Sequence, residues 1–207
     1  MIPRIIGKKI GMSQVFDDKG KAEPVTVIEA GPCTVTQIKT SAKEGYEAVQ
    51  LGFGNAKKLS KAEQGHLKEL GKLKELREFR VESTAEVKVG DKVDVNLFKT
   101  GDFVNVIGIS KGKGFAGVVK RHGFHGGPKT HGQTDRHRAP GAIGATTSPG
   151  RVLKGMRMAG HMGAEQITQK GLKVYKTDPE HNLLIVQGAV PGAKNGLLLI
   201  SKATKRK

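Results

Sequence analysis

The sequence predicts a mainly β protein: a small closed barrel, broken by a small α+β insertion and by a long basic, glycine-rich, non-globular extension. Three observations carry this. Short apolar runs with period-two alternation and turn punctuation occur near both ends of the chain. A helix-start pattern interrupts the first set. Between Phe103 and Ala164 apolar side chains become sparse, while ten Lys and Arg face a single acid, Asp135.

The first strands are expected at Gln14–Phe16 and Pro24–Glu29, joined by the turn Asp17-Asp18-Lys19-Gly20, and then at Thr34–Lys39 and Glu47–Phe53 across a Ser/Lys/Glu/Gly turn. Residues 1–54 and 81–107 are assigned to the first part of the barrel, with Val87, Val89, Val93, Val95 and Leu97 alternating around Gly90-Asp91. Residues 55–80 form the insertion. Ser60 and Glu63 fit a capping box, in which the serine caps the helix and the glutamate reaches back. Leu67, Leu70, Leu73 and Leu76 recur every third residue, so the stripe drifts by roughly 60° per step and one straight helix cannot bury all four. Gly71 is expected to end a short helix, followed by something more extended. Residues 165–207 complete the barrel with strands at Ile167–Gln169, Leu172–Tyr175, Leu183–Gln187 and Leu197–Ile200, then a basic tail. Closure is favoured because it removes exposed strand edges.

Residues 108–164 are the extension. A segment this poor in apolar surface cannot offset the entropy of ordering itself in water, so its shape must come from a partner. The whole chain of 207 residues carries a net charge of +17, and its second half holds 18 basic against 5 acidic side chains. A polyanion is the matching mould, since cations bound to phosphates release condensed counterions. The candidate RNA-binding residues are Lys111, Lys113, Lys120, Arg121, His122, Lys129, His131, Arg136, His137, Arg138, Arg151, Lys154, Arg157 and His161. Arg136, Arg138, Arg151 and Arg157 suit forked phosphate contacts, and the lysines act as point charges. With no Trp and 4% aromatic residues, the chain lacks the rings of a single-strand binder built on aromatic platforms.

Other chemistries fit less well. Gly112-Lys113-Gly114-Phe115-Ala116-Gly117 matches a dinucleotide-type G-x-G-x-x-G, but no βαβ pattern follows, and a nucleotide-binding enzyme remains only an alternative. His122 and His125 have metal-like spacing, yet the surrounding cations oppose a dication, and no metal or cofactor is expected. Cys33 lies in a turn with no histidine near it in sequence, so no catalytic set is expected, and a lone cysteine suits a reducing compartment. No apolar run reaches the roughly 20 residues of a membrane span, and no membrane partner or secretory leader is expected. A general nucleic-acid-compacting protein is a further alternative.

The stretch FKTGDFVNVIGISKGKGFAGVVKR, residues 98–121, resembles the signature of the universal large-ribosomal-subunit protein three family, through Phe98, Asn105, Gly108, Ser110, Gly112-Lys113-Gly114, Gly117 and Arg121. Similar matches include Gly7-Lys8-Lys9-Ile10-Gly11-Met12, His137-Arg138-Ala139-Pro140-Gly141, Ser148-Pro149-Gly150-Arg151, Met158-Ala159-Gly160-His161-Met162-Gly163 and Gly188-Ala189-Val190-Pro191-Gly192. The length resembles bacterial members. The resemblance implies a six-stranded translation-protein-type barrel and an extension threading large-subunit (23S-type) ribosomal RNA toward the peptidyl-transferase region. It further implies binding near the 3′ end of that RNA, an early role in subunit assembly, proteins fourteen and nineteen as neighbours, a place in the cytoplasmic ribosome, and no enzymatic activity. One departure matters: where some bacterial members carry a methylated glutamine, the matching position is Ala145, so any role of that side chain does not carry over.

Overall fold

The computed structural model describes residues 4–17, 19–84 and 86–203, excepting the side chain of Glu69. Asp18 of the expected first turn and tail residues 204–207 lie outside them. The chain divides into two compact units, one of residues 1–109 and 166–207, the other Ser110–Glu165.

In the first unit six antiparallel strands close a ring. They are β1 (Arg4–Phe16), β2 (Ala22–Ala30), β7 (Phe103–Ile109), β10 (Gln166–Asp178), β11 (Leu183–Gln187) and β12 (Leu197–Lys202), in the order β1-β12-β7-β10-β11-β2. Alternation explains the ring: Val104 and Val106 of β7, Leu184 and Val186 of β11, and Leu198 and Ile200 of β12 are buried, while their neighbours in sequence are less so. β1 carries an irregularity between Lys9 and Gly11, and β10 one between Gln169 and Leu172. The latter joins the two strands expected at Ile167–Gln169 and Leu172–Tyr175 into one, because a bulge bends a strand without ending it.

A second sheet, ordered β5-β4-β3-β6, contains β3 (Cys33–Lys39), β4 (Ala48–Asn55), β5 (Leu73–Arg80) and β6 (Lys92–Val93). This corrects the expected content of 1–54: β3 and β4 pair with each other and with β5 and β6, not with the ring. Gly31, at φ +82°, and Pro32 separate β2 from β3 and turn the chain out of the first sheet. Val87 and Val89 are not in a strand, and Val95–Leu97 form a 3₁₀ turn in place of the expected alternation. The Ser/Lys/Glu/Gly turn is a one-turn helix, α1 (Ser41–Glu44), closed by left-handed Gly45.

Within residues 55–80 the capping box forms as its pattern predicts. In α2 (Lys61–Leu67) Ser60 Oγ accepts from the Glu63 amide at 3.3 Å, and the Glu63 carboxylate accepts from the Ser60 amide at 2.8 Å. The Ser60 amide and the Ser60 hydroxyl, both donating to that carboxylate, hold the Glu63 carboxyl below its ordinary value. A 3₁₀ turn at Lys68–Leu70 ends the helix before Gly71, and Leu73 and Leu76 then lie on β5.

One continuous buried cluster draws on both sheets, including Ile5, Ile28, Val106 and Ile200 from the ring and Val35, Leu51 and Phe79 from the second sheet. Cys33 lies in it, and its thiol donates to the Ile6 carbonyl at 3.5 Å. Burial, reinforced by the Asp94 carboxylate, pushes that thiol up to about 12, so it is protonated at neutral pH. Lys9 is buried as well: its Nζ donates to the carbonyls of Val190 at 2.9 Å and Gly192 at 3.3 Å. It thereby joins two motifs that the sequence separates by about 180 residues. No helix among the described residues is long and apolar enough to cross a membrane.

Candidate nucleic-acid interface

The second unit, Ser110–Glu165, holds β8 (Phe115–Ala116), α3 (Val118–His122) and β9 (Gly160–His161). Its apolar core is minimal: Ala116 and Val118 are its only buried residues, and every residue from 141 to 159 is exposed. Backbone pairing replaces the missing core. Its ends meet where the Ser110 amide donates to the Glu165 carbonyl at 2.9 Å, and β8 pairs antiparallel with β9. The Lys113 amide donates to the Met162 carbonyl at 2.8 Å and the Met162 amide to the Gly114 carbonyl at 3.0 Å. Further along, the Gly127 amide donates to the His137 carbonyl at 2.9 Å.

Glycine makes this closeness possible. At Gly163, with φ +77°, a β-carbon would run into the Lys111 carbonyl. No larger residue fits there without opening the pairing.

The fourteen predicted residues separate into two groups. Lys111, Lys113, Lys120, Lys129, His131, Arg136, Arg138, Arg151, Lys154, Arg157 and His161 are exposed. Arg121, His122 and His137 are half-buried and committed to the unit's own backbone. Arg121 Nη1 donates to the Met158 carbonyl at 2.8 Å, and His122 Nε2 meets the same oxygen at 3.0 Å. His137 Nδ1 meets the Pro128 carbonyl at 2.9 Å. A carbonyl can only accept, so each of these ring nitrogens carries the hydrogen. Among the described residues none of the unit's ten Lys and Arg side chains forms an ion pair.

Nine of the ten cations are exposed on this glycine-rich backbone, and among the described residues none of the ten has a carboxylate partner. The Gly112–Gly117 motif leads only into a two-residue strand and the five-residue α3, with no βαβ unit to cradle a dinucleotide. Among the described residues no three His, Cys, Asp or Glu side chains gather in metal-binding geometry. Phe115, which the charge pattern does not single out, is 81% exposed. The signal that marks it in sequence is the single aromatic residue of Gly112-Lys113-Gly114-Phe115-Ala116-Gly117.

Comparison with known proteins finds relatives along almost the whole chain. The family described as Ribosomal protein L3 matches residues 67–180. The chain is 58% identical over 205 residues to a Large ribosomal subunit protein uL3 of Dehalococcoides mccartyi, covering 99% of this chain and 100% of the relative. It is 57% identical over 208 residues to the protein of that name from Herpetosiphon aurantiacus, covering 99% and 98%. With the one from Prochlorococcus marinus it shares 54% identity over 200 residues, 95% and 92% of the two chains. A ring of six strands, a nearly coreless basic unit and likeness along almost the whole length lead to one assignment: this chain belongs to the ribosomal protein L3 family.

Proposed function

We propose that the chain is a structural, non-enzymatic constituent of the large ribosomal subunit in the cytoplasm, and that it binds large-subunit ribosomal RNA near the 3′ end through residues 110–165. It acts early in subunit assembly, reaches toward the peptidyl-transferase region and neighbours proteins fourteen and nineteen. The ring is a barrel of the translation-protein type and serves as the folded anchor. The observation that carries the reading is the set of ten cations free of carboxylates on a unit with two buried residues.

The mechanism follows from charge and shape. Glycines allow the backbone of 110–165 to pass close to RNA phosphates, where each cation offsets repulsion as water and counterions leave. Arg136, Arg138, Arg151 and Arg157 make forked contacts; Lys111, Lys113, Lys120, Lys129 and Lys154 neutralise without directional demand. Recognition rests on backbone and shape, because A-form grooves hide base edges. Arg121, His122 and His137 shape the unit that carries these groups.

The test is a titration over a range of salt against the 3′ domain of large-subunit ribosomal RNA and a length-matched control RNA. Preference for the 3′ domain that persists in salt high enough to strip the control is the expected result. Arg136→Glu with Arg138→Glu should lower the salt slope by about 2 and impair subunit assembly with the ring intact. Equal affinity for both RNAs with equal slopes would leave a polycation that merely compacts nucleic acid.

A further inference from the structure

Phe115 is the most exposed large apolar side chain among the described residues. Nothing in the unit's own packing requires a ring there, since the buried residues beside it are Ala116 and Val118. Its strand register is informative. Phe115 lies directly opposite His161, and Ala116 opposite Gly160. Directly opposed residues of an antiparallel pair share a face, with β-carbons about 4.5–5.5 Å apart. Phe115 and His161 therefore stand side by side on one face of this two-stranded ladder, both exposed. Residues 116 and 160 face the other way.

That other face is occupied. A β-carbon on Gly160 would lie 2.7 Å from Arg121 Nη1 and 3.3 Å from Arg121 Cζ, so the guanidinium packs against the glycine. The same Nη1 donates to the Met158 carbonyl, which also meets His122 Nε2. The Arg121 side chain thus braces the back of the ladder and leaves its front open. Among the described residues neither Phe115 nor His161 is in ring contact with another aromatic, whereas His122 and Phe124 lie 6.0 Å apart by ring centroids. Lys111, Lys113 and Lys120 come within five residues of Phe115 in sequence, and all three are exposed.

An exposed phenyl beside an exposed imidazole, on a braced strand pair and among unpaired lysines, matches an unpaired nucleobase joined to its phosphates. The base offers a π-face to the rings, and the phosphates answer the cations. We infer that Phe115 and His161 form a stacking platform for one unpaired base of the RNA bound by residues 110–165. The platform rests on the RNA-binding reading above and adds to it a contact with a base. It also qualifies the expectation from composition: the chain has too few rings for a row of platforms, but one suffices to fix a single base.

The test uses the full chain and four variants: Phe115→Ala, Phe115→Leu, Phe115→Trp and Lys113→Gln. Each is titrated against the ribosomal 3′ domain, the control RNA and a single-stranded decaadenylate carrying one 2-aminopurine. Phe115→Ala and Phe115→Leu should lose about five- to hundred-fold in affinity for the 3′ domain and the decaadenylate at unchanged salt slope. Phe115→Trp should stay within about twofold of the parent, because it keeps a π-face. Lys113→Gln should instead lower the slope. Quenching of 2-aminopurine should accompany binding of the parent and vanish with Phe115→Ala. The platform is overturned if Phe115→Ala or Phe115→Leu binds as tightly as the parent, or if the loss appears as a changed slope. A parent that prefers the 3′ domain while Phe115→Ala binds it equally well would sink the platform and leave the ribosomal reading standing. A parent without that preference, whose Phe115→Ala variant still loses the decaadenylate, would do the reverse. Since Phe115 is exposed, circular dichroism of all variants should match the parent.

Discussion

Lys9 shows how a single residue can hold a fold together while looking, in sequence, like one more surface cation. It is 8% exposed, and its ammonium group donates to two carbonyls of the 190–192 segment. A buried charge is tolerated only when its donors are satisfied. Lys9→Met keeps the aliphatic stem and removes the donors, leaving the Val190 and Gly192 carbonyls short of a partner. We expect a loss of about 1–3 kcal/mol in urea-induced unfolding, with salt-dependent RNA binding unchanged. The same ambiguity limited what the sequence could say of the interface. Charge clustering singles out the Lys, Arg and His of this stretch, but Arg121, His122 and His137 could not be told from their neighbours. A donor that can reach a phosphate can equally reach a backbone carbonyl, and only the folded backbone, which brings the Met158 and Pro128 carbonyls to these side chains, reveals which of them turn inward.

At the scale of elements, strong local chemistry was legible and long-range pairing was not. The Ser60–Glu63 box announced α2, and the three-residue leucine spacing correctly ended the helix before β5. Sheet membership was hidden, because β3 and β4 alternate with the same period as strands of the ring, and period two says nothing about which partner lies alongside. Likewise β10 continues through Gly171, at φ +70°, where punctuation alone suggested two strands. In the basic unit the elements depend on glycine. Gly163→Ala should raise amide hydrogen exchange at Lys113 and Met162, whose bonds to the Met162 and Gly114 carbonyls that β-carbon would force apart, while ring amides keep their protection. Gly155→Ala is the control. Its φ of +83° is similar, but no heavy atom lies within 4 Å of the added carbon, so exchange at Lys113 and Met162 should not change.

For the whole molecule, the decisive relation is that Ile109 and Gln166 are paired neighbours in the ring. The 56 residues of Ser110–Glu165 occupy the place of a hairpin turn between β7 and β10. Closing a longer loop costs little more than closing a short one, since the entropy grows only as the logarithm of its length. Replacing 110–165 by a short glycine-containing turn should therefore leave a ring that unfolds cooperatively, with the far-ultraviolet signature of β structure and no salt-resistant RNA binding. A chain that fails to fold after this excision would mean that the basic unit contributes to the ring's stability.

The ring order has a consequence for the newly made chain. β1 reaches its second neighbour only in β12, the last strand, which also pairs with β7. Synthesis runs from the first residue to the last at about 5–20 residues per second, so the sixth stave of the ring arrives seconds after the basic segment is complete. During that interval the cations are already in solution while their scaffold is unfinished. Nascent chains should thus meet polyanions before they are fully folded, and a cell that makes this protein benefits from keeping its RNA partner close to the site of translation.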